Sequence, residues 1–131
     1  MKLLIADDDR VLVHMLSGRL RPKGVNVSVA YDAMQAWMMT VRTDPDVILL
    51  DIQMPGGTGM EVLRKLKMSA KTSHIPVIVL SGSIDAQAGE TVKELGADEY
   101  LTKPPDFDRL WQLLCRLLGI PQPSESGSHG G

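Results

Sequence analysis

Asp7, Asp8, Asp51, Ser81 and Lys103 each stand at the end of an apolar run, and their side chains could together handle a phosphoryl group. Asp7-Asp8-Asp9 follows Leu3-Leu4-Ile5-Ala6, and Asp51 follows Val47-Ile48-Leu49-Leu50. Ser81 follows Val77-Ile78-Val79-Leu80, and Lys103 follows Tyr100-Leu101-Thr102. In a parallel α/β sheet, ligands gather beyond the carboxyl ends of the strands, where these residues would lie. Carboxylates brought within a few ångströms repel strongly unless a cation neutralises them or a proton is taken up. Oxygen donors without a Cys or His cluster point to Mg²⁺, which keeps some of its waters and accepts phosphate oxygens. Asp8 and Asp51 are expected to bind it directly and Asp7 through a water. The turn after Asp51 would offer the backbone carbonyl of Gln53. A carboxylate oxygen becomes a competent nucleophile toward phosphorus once Mg²⁺ and a side-chain cation shield the incoming charge. Asp51 is therefore the candidate phosphoacceptor and Lys103 the cation. Ser81 is the hydroxyl that would bond the new phosphoryl oxygens.

The elements that must position these residues follow from periodicity. Leu3 to Ala6, Val25 to Ala30, Val47 to Leu50, Val77 to Leu80 and Tyr100 to Thr102 read as five short strands. Three are almost continuously apolar, as in a sheet covered on both faces. Helical spacing separates them: Leu12, Leu16 and Leu20; Val62, Leu63 and Leu66; Ala88, Val92 and Leu95; Leu110, Leu113, Leu114 and Leu117. The segment from Asp32 to Val41 is less clearly amphipathic. Asp32 with Gln35 and Thr58 with Glu61 have capping-box spacing, Asp106 can cap the last helix, and Gly24, Gly96 and Gly119 mark helix ends. Strict alternation predicts an α/β fold: a doubly wound, flavodoxin-like five-stranded parallel sheet of order 2-1-3-4-5, with helices on both faces.

The chain has 131 residues and 44% hydrophobic content, enough for one core of ordinary size. Residues 1–119 are assigned to one domain and 120–131, a Pro-, Ser- and Gly-rich stretch, to a flexible linker or tail. The formal charge is −2 with scattered Lys and Arg, so direct nucleic-acid binding is not expected. Cys115 is the single cysteine and reads as a packing residue. The first residues reach Asp7 too soon for a secretory or membrane-spanning segment, which predicts a cytoplasmic protein without membrane association.

With these motifs in place, residues from Lys2 to about Leu118 resemble the receiver domain of two-component response regulators, the CheY-like family. The resemblance implies an acidic pair at Asp7 and Asp8, a phosphoacceptor at Asp51, a hydroxyl switch residue at Ser81 and a basic residue at Lys103. It also implies a cis bond between Lys103 and Pro104 that aims the amine into the pocket; Pro104-Pro105 departs from the usual Pro-Phe. Tyr100 matches an aromatic that swings inward with the hydroxyl residue, repacking the surface of the fourth helix, fifth strand and fifth helix. Gln53 and Ser83 match positions that tune acyl-phosphate lifetime. The implied donor is the phosphohistidine of a sensor histidine kinase or a histidine phosphotransfer protein. The implied output is binding of a partner or output domain, or phosphorylation-dependent dimerisation, reset by self-catalysed hydrolysis. Such a phosphoprotein is a phosphorelay component and not an enzyme that turns over a separate substrate.

Two other classes compete. Asp7-Asp8-Asp9-Arg10-Val11 fits the DxDx[TV] motif of haloacid-dehalogenase-like phosphatases, with Asp7 as nucleophile and Asp9 as acid, but that reading leaves Asp51 without a role. A pseudo-receiver that serves as a docking surface would not need the full acidic, hydroxyl and lysine set. Blander readings apply elsewhere: Asp9 as a helix cap, Met34, Met38, Met39 and Trp37 as core packing with Trp37 partly exposed, and His14 as an ordinary surface or semi-buried histidine. Three widely spaced histidines, His14, His74 and His129, argue against a histidine metal site.

Overall fold

The computed structural model describes residues 1–54, 57–82 and 86–121. The three apolar runs form adjacent central strands because only a doubly covered sheet buries both of their faces. These strands are β1 (Lys2–Ala6), β3 (Val47–Asp51) and β4 (Val77–Ser81), and every residue of β3 and β4 is buried. The flanking strands, β2 (Asn26–Ala30) and β5 (Glu99–Thr102), are more mixed and more exposed. All neighbours pair in parallel, in the order β2-β1-β3-β4-β5. Between them run α1 (Arg10–Leu20), α2 (Ala33–Thr43), α3 (Gly59–Met68) and α4 (Ala86–Glu94), and α5 (Phe107–Leu118) follows the last strand. A two-residue antiparallel ladder joins Gln53–Met54 to Gly57–Thr58.

Alternation along each strand sends side chains into two cores. Leu3, Ile5, Leu49 and Ile78 pack with Leu12, Leu16, Leu110 and Leu114 of α1 and α5. Leu4, Ile48, Leu50 and Val79 pack with Ala36 of α2, Leu63 and Leu66 of α3, and Val92 of α4. Each fully buried Leu or Ile contributes about 1.5–3 kcal/mol relative to exposure, so the sheet is a rigid platform for what lies at its ends. Cys115 is buried in α5, where burial pushes its thiol pKa up and Lys23 offsets part of the effect.

Several boundaries differ from the sequence reading. Val25 precedes β2: it is buried, but its N–H donates back to Leu20 O at 3.4 Å at the end of the α1 turn. Asp51 and Ser81 are the last residues of their strands, paired with Leu80 and Thr102. The ladder therefore fixes the backbone that carries both side chains, which loops beyond the strands would hold less firmly.

The helix starts behave as capping chemistry requires. Asp9 accepts from Leu12 N at 3.1 Å, and Thr58 and Glu61 form a reciprocal box. Asp32 accepts from Gln35 N, but Gln35 Oε1 reaches Tyr31 N, one residue earlier than a strict box would have it. Asp106 caps α5 by accepting from Asp108 N. Gly24, Gly96 and Gly119 all have positive φ at helix ends. A 3₁₀ turn, Arg21–Lys23, links α1 to β2, and the Arg21 guanidinium donates to Val27 O on that outer strand. At the other edge, Glu99 of β5 pairs with Arg116.

The core assignment of Met34 and Met38 is corrected: they are 71% and 50% exposed. Helix α2 turns the smaller Ala33, Ala36 and Thr40 inward, which lets it lie close to the sheet and leaves the methionines outside. Met39 and Trp37 do pack partly against the core. Among the described residues no helix is long and apolar enough to cross a membrane. Most of the stretch assigned as a tail, from 122 onward, lies outside the described residues.

Candidate functional site

The site begins with register. Ala6 pairs with Leu50 across β1 and β3, so the next residue of each strand, Asp7 and Asp51, emerges side by side. Asp7 N donates to Ala30 O at 2.9 Å, which extends the β1–β2 ladder by one bond and fixes the residue. Asp7 and Asp51 are buried, whereas Asp8 faces outward. One carboxylate oxygen from each of the three lies within 4.8 Å of the other two.

Lys103 enters from the end of β5, next to β4, where its N–H donates to Ser81 O at 2.8 Å. The Lys103–Pro104 bond is cis, as the resemblance implied. Lys103 Nζ donates to Asp7 Oδ1 at 3.0 Å and to Asp51 Oδ2 at 3.1 Å. Backbone donors occupy other carboxylate oxygens: Asp9 N bonds Asp7 Oδ1 at 2.9 Å, and Gln53 N bonds Asp51 Oδ1 at 3.0 Å. Asp7 Oδ2 differs. It lies 2.9 Å from Lys103 Nζ, yet the angle gives no hydrogen bond, so a buried carboxylate oxygen lacks a well-directed donor.

The electrostatics leave room for a further cation. Burial is the main cause that raises the Asp51 carboxyl above its ordinary 3.8; the Gln53 N–H opposes it, the Asp7 charge adds to it, and Lys103 opposes it. Burial works to lower the Lys103 amine, but its hydrogen bonds to Asp7 and Asp51 and their charges prevail and hold it above its ordinary value. One ammonium faces three carboxylates, and a divalent cation would bring the formal charge of the cluster to zero. An all-oxygen donor set, an under-satisfied Asp7 oxygen and an open side at Asp8 suit Mg²⁺.

A pH-dependent stability follows from the raised Asp51 carboxyl. The folded state holds the Asp51 proton more tightly than the unfolded chain does. This residue's contribution is thus fully present below the unfolded value near 3.8 and is lost as pH rises through the raised folded value. In metal-free buffer, Asp51→Asn should therefore melt higher than wild type at neutral pH. The gap should shrink on acidification toward pH ~4. Thermal melts of both proteins across that range check this, and a gap that grows on acidification would contradict it.

The remaining sequence candidates divide. Ser81 is fully buried at the end of β4, the strand beside Asp51. Tyr100 is half-buried on β5, with its ring facing Gly89 of α4; a Cβ on Gly89 would lie 3.5 Å from that ring. Gln53 has an exposed side chain just beyond the end of β3, and Ser83 lies outside the described residues. Asp9 is spent on capping α1, and His14 lines a groove between α1 and β2.

One contributor escaped the sequence reading. Gly59, the first residue of α3, sits so close to the end of β3 that a Cβ would fall 2.3 Å from Asp51 O and 2.4 Å from Ile52 Cα. Its own N–H donates to Ile52 O at 3.0 Å. A glycine directly behind a capping threonine was the available signal.

Comparisons with known proteins agree with this geometry. Residues 3–114 match the response regulator receiver domain. Response regulator PleD of Caulobacter vibrioides is 40% identical over 107 residues, which is 80% of this chain and 23% of PleD. The chain thus spans about a quarter of the curated relatives it matches. The receiver domain of the Francisella response regulator 1452 superposes with a TM-score of 0.83 at 30% identity, covering 90% of this chain and 96% of that one. The BeF3-activated N-terminal receiver domain of Klebsiella pneumoniae RstA gives 0.84 at 25% identity, covering 90% and 98%.

Proposed function

The chain belongs to the response regulator receiver domain family, and from that premise we propose that it is a phosphoacceptor switch in which Asp51 takes a phosphoryl group from a partner phosphohistidine. The observation that carries this reading is the Lys103 ammonium held between buried Asp7 and Asp51 at the carboxyl end of the sheet.

In the forward step an Asp51 oxygen attacks phosphorus while the phosphorus–nitrogen bond of the donor breaks. Its electron pair returns to the imidazole, and an aspartyl phosphate is left on Asp51. Asp8 and Asp51, with Asp7 through a water and the Gln53 carbonyl, would hold Mg²⁺, which when bound supplies neutralisation of the phosphoryl oxygens. Lys103 exchanges its bond to Asp51 Oδ2 for one to a phosphoryl oxygen. Ser81 donates its hydroxyl to another, which draws the end of β4 toward Asp51. Tyr100, one strand further out and against α4, then repacks and changes the α4-β5-α5 surface that a partner or output domain reads, or through which two copies pair. Water attack on phosphorus resets the state, with Gln53 and Ser83 bordering its path.

The donor is a sensor histidine kinase or a histidine phosphotransfer protein, and the setting is cytoplasmic. The Klebsiella relative's BeF3-activated state supports a tetrahedral phosphoryl mimic as ligand for this pocket. Asp9, which caps α1, is poorly placed to be the acid of a haloacid-dehalogenase-like phosphatase.

Metal removal tests the reading directly. Protein incubated with Mg²⁺ and phosphoramidate should gain about 80 Da by intact mass, in a bond labile to hydroxylamine. Excess EDTA should abolish the gain. Equal labelling with and without metal would overturn the Mg²⁺ site, and labelling at a residue other than Asp51 would overturn the acceptor.

A further inference from the structure

We infer that the groove between α2 and α3 is a docking site for an acidic amphipathic helix of a partner protein, on a face separate from the α4-β5-α5 surface. The first observation is a stripe. Met34, Met38 and Val41 are spaced i, i+4, i+7 on α2 and are 71%, 50% and 50% exposed; Met34 lines the groove, and Met38 and Val41 continue the apolar line along the outer side of the helix. Met68 of α3 is 78% exposed beyond the same groove floor. Four of the six large exposed hydrophobic residues described in the chain thus lie on these two helices. Contiguous exposed apolar patches mark interaction surfaces, and methionines adapt to the shape of an incoming helix.

The second observation is the groove itself. Two adjoining cavities, of about 260 and 680 Å³, run along the α2–α3 seam and share Trp37, Glu61 and Lys65. A groove lined by Trp and Met with an Arg at its edge has the composition of an interface core, and an apolar helix face lies well in such a seam.

Charge selects the occupant. The Glu61 carboxylate lines both cavities and accepts from Thr58 N in the capping box, and its one negative charge is outnumbered by the two cations of Arg64 and Lys65. The Lys65 ammonium stands over the Trp37 ring, 4.3 Å from its centroid, and Arg64 stands at the rim. The groove therefore presents apolar walls with positive charge along the α3 side. A helix with leucine-like anchors at i, i+3, i+4 and i+7 and glutamate or aspartate on its flank would meet both. A second copy of this chain fits less well, because it would bring the same excess of positive charge, Arg64 and Lys65 against a single Glu61, to a groove that already carries it.

The test uses Trp37 as reporter in the full chain carrying Trp111→Phe. The probes are a synthetic helix with leucines at those spacings and glutamates on its flanks, and a twin with lysines in place of the glutamates. Saturable binding of the glutamate helix is expected, with the twin about tenfold weaker, since two exposed ion pairs change sign. Arg64→Glu with Lys65→Glu should invert that preference, and Met34→Gln with Met68→Gln, the two methionines that line the groove, should abolish binding of either peptide while the melting temperature stays near wild type. Equal affinity for the twins, no binding, or binding that survives the methionine changes would overturn the inference. So would sedimentation showing a dimer that the methionine changes dissolve, or capture of the protein by anionic vesicles in preference to the peptide.

Discussion

Asp51→Asn protein given Mg²⁺ and phosphoramidate is expected to gain no phosphoryl group, whereas wild type gains about 80 Da. The amide keeps the size and shape of the carboxylate, and the side chain still occupies the buried end of β3 beside Asp7 and Lys103. What disappears is the anionic oxygen that forms the new bond, so the loss should be complete at any donor concentration. Substitutions around it should behave differently. In the proposed reaction Lys103→Ala and Ser81→Ala would each remove a donor to the transferred group, and each should slow the rate by about 10²–10³-fold with the acceptor still present. The pattern also separates the reaction classes. A phosphatase built on Asp7 would survive Asp51→Asn and die with Asp7→Asn, and time courses of both variants against phosphoramidate and against a phosphate ester would reveal it.

Among the described glycines, Gly59→Ala is expected to be the most damaging alanine substitution, at about 3 kcal/mol or more. The added Cβ would meet the carbonyl oxygen of Asp51 and the Cα of Ile52, both backbone atoms, so no flexible side chain can yield. Either α3 retreats from the sheet, opening the core at Val62 and Leu63, or the end of β3 is pushed outward. A fall in melting temperature of about 10 °C corresponds to that cost for a domain of this size. The phosphorylation rate should also fall at temperatures where the variant remains folded, because Asp51 is carried by the displaced backbone. Gly18 supplies the contrast: it lies within α1 and its added Cβ would meet nothing within 4 Å. Gly18→Ala should therefore stabilise by about 0.5–1 kcal/mol, as a helix-interior glycine replaced without a clash does. Chemical denaturation of the two variants side by side distinguishes a local clash from a general intolerance to change.

The strand order and the cluster at its end were legible in the sequence because one physical rule governs both. Runs such as Val47–Leu50 and Val77–Leu80 can be buried only at the centre of a covered sheet, and whatever polar residue closes such a run must surface at its carboxyl end. Caps at Asp9, Thr58 and Asp106 were equally plain, since a short oxygen-bearing side chain before an apolar period has few other uses. What the pattern hid depends on distances between elements. The close approach of α3 to Asp51 resides in a side chain that Gly59 does not have. The outward stripe of α2 was masked by composition: Met34 and Met38 are as apolar as core residues, and only the placement of Ala33, Ala36 and Thr40 against the sheet shows that small side chains hold the inner face. The strand ends at Asp51 and Ser81 were misjudged by one residue because polar side chains read as loop, while the backbone ladder is indifferent to them.

The bond from the Arg21 guanidinium to the Val27 carbonyl bears on how this molecule behaves in a crowd. An outermost strand is a template on which another chain can add itself, and repeated addition yields ribbons. On β2 an acceptor of that template is already taken by a bulky, charged group, and on β5 the pairing of Glu99 with Arg116 sets two charges beside the opposite border. A newcomer would have to evict a guanidinium and strip water from it before the first interchain bond could form. Both features work against lengthening of the sheet at its two borders.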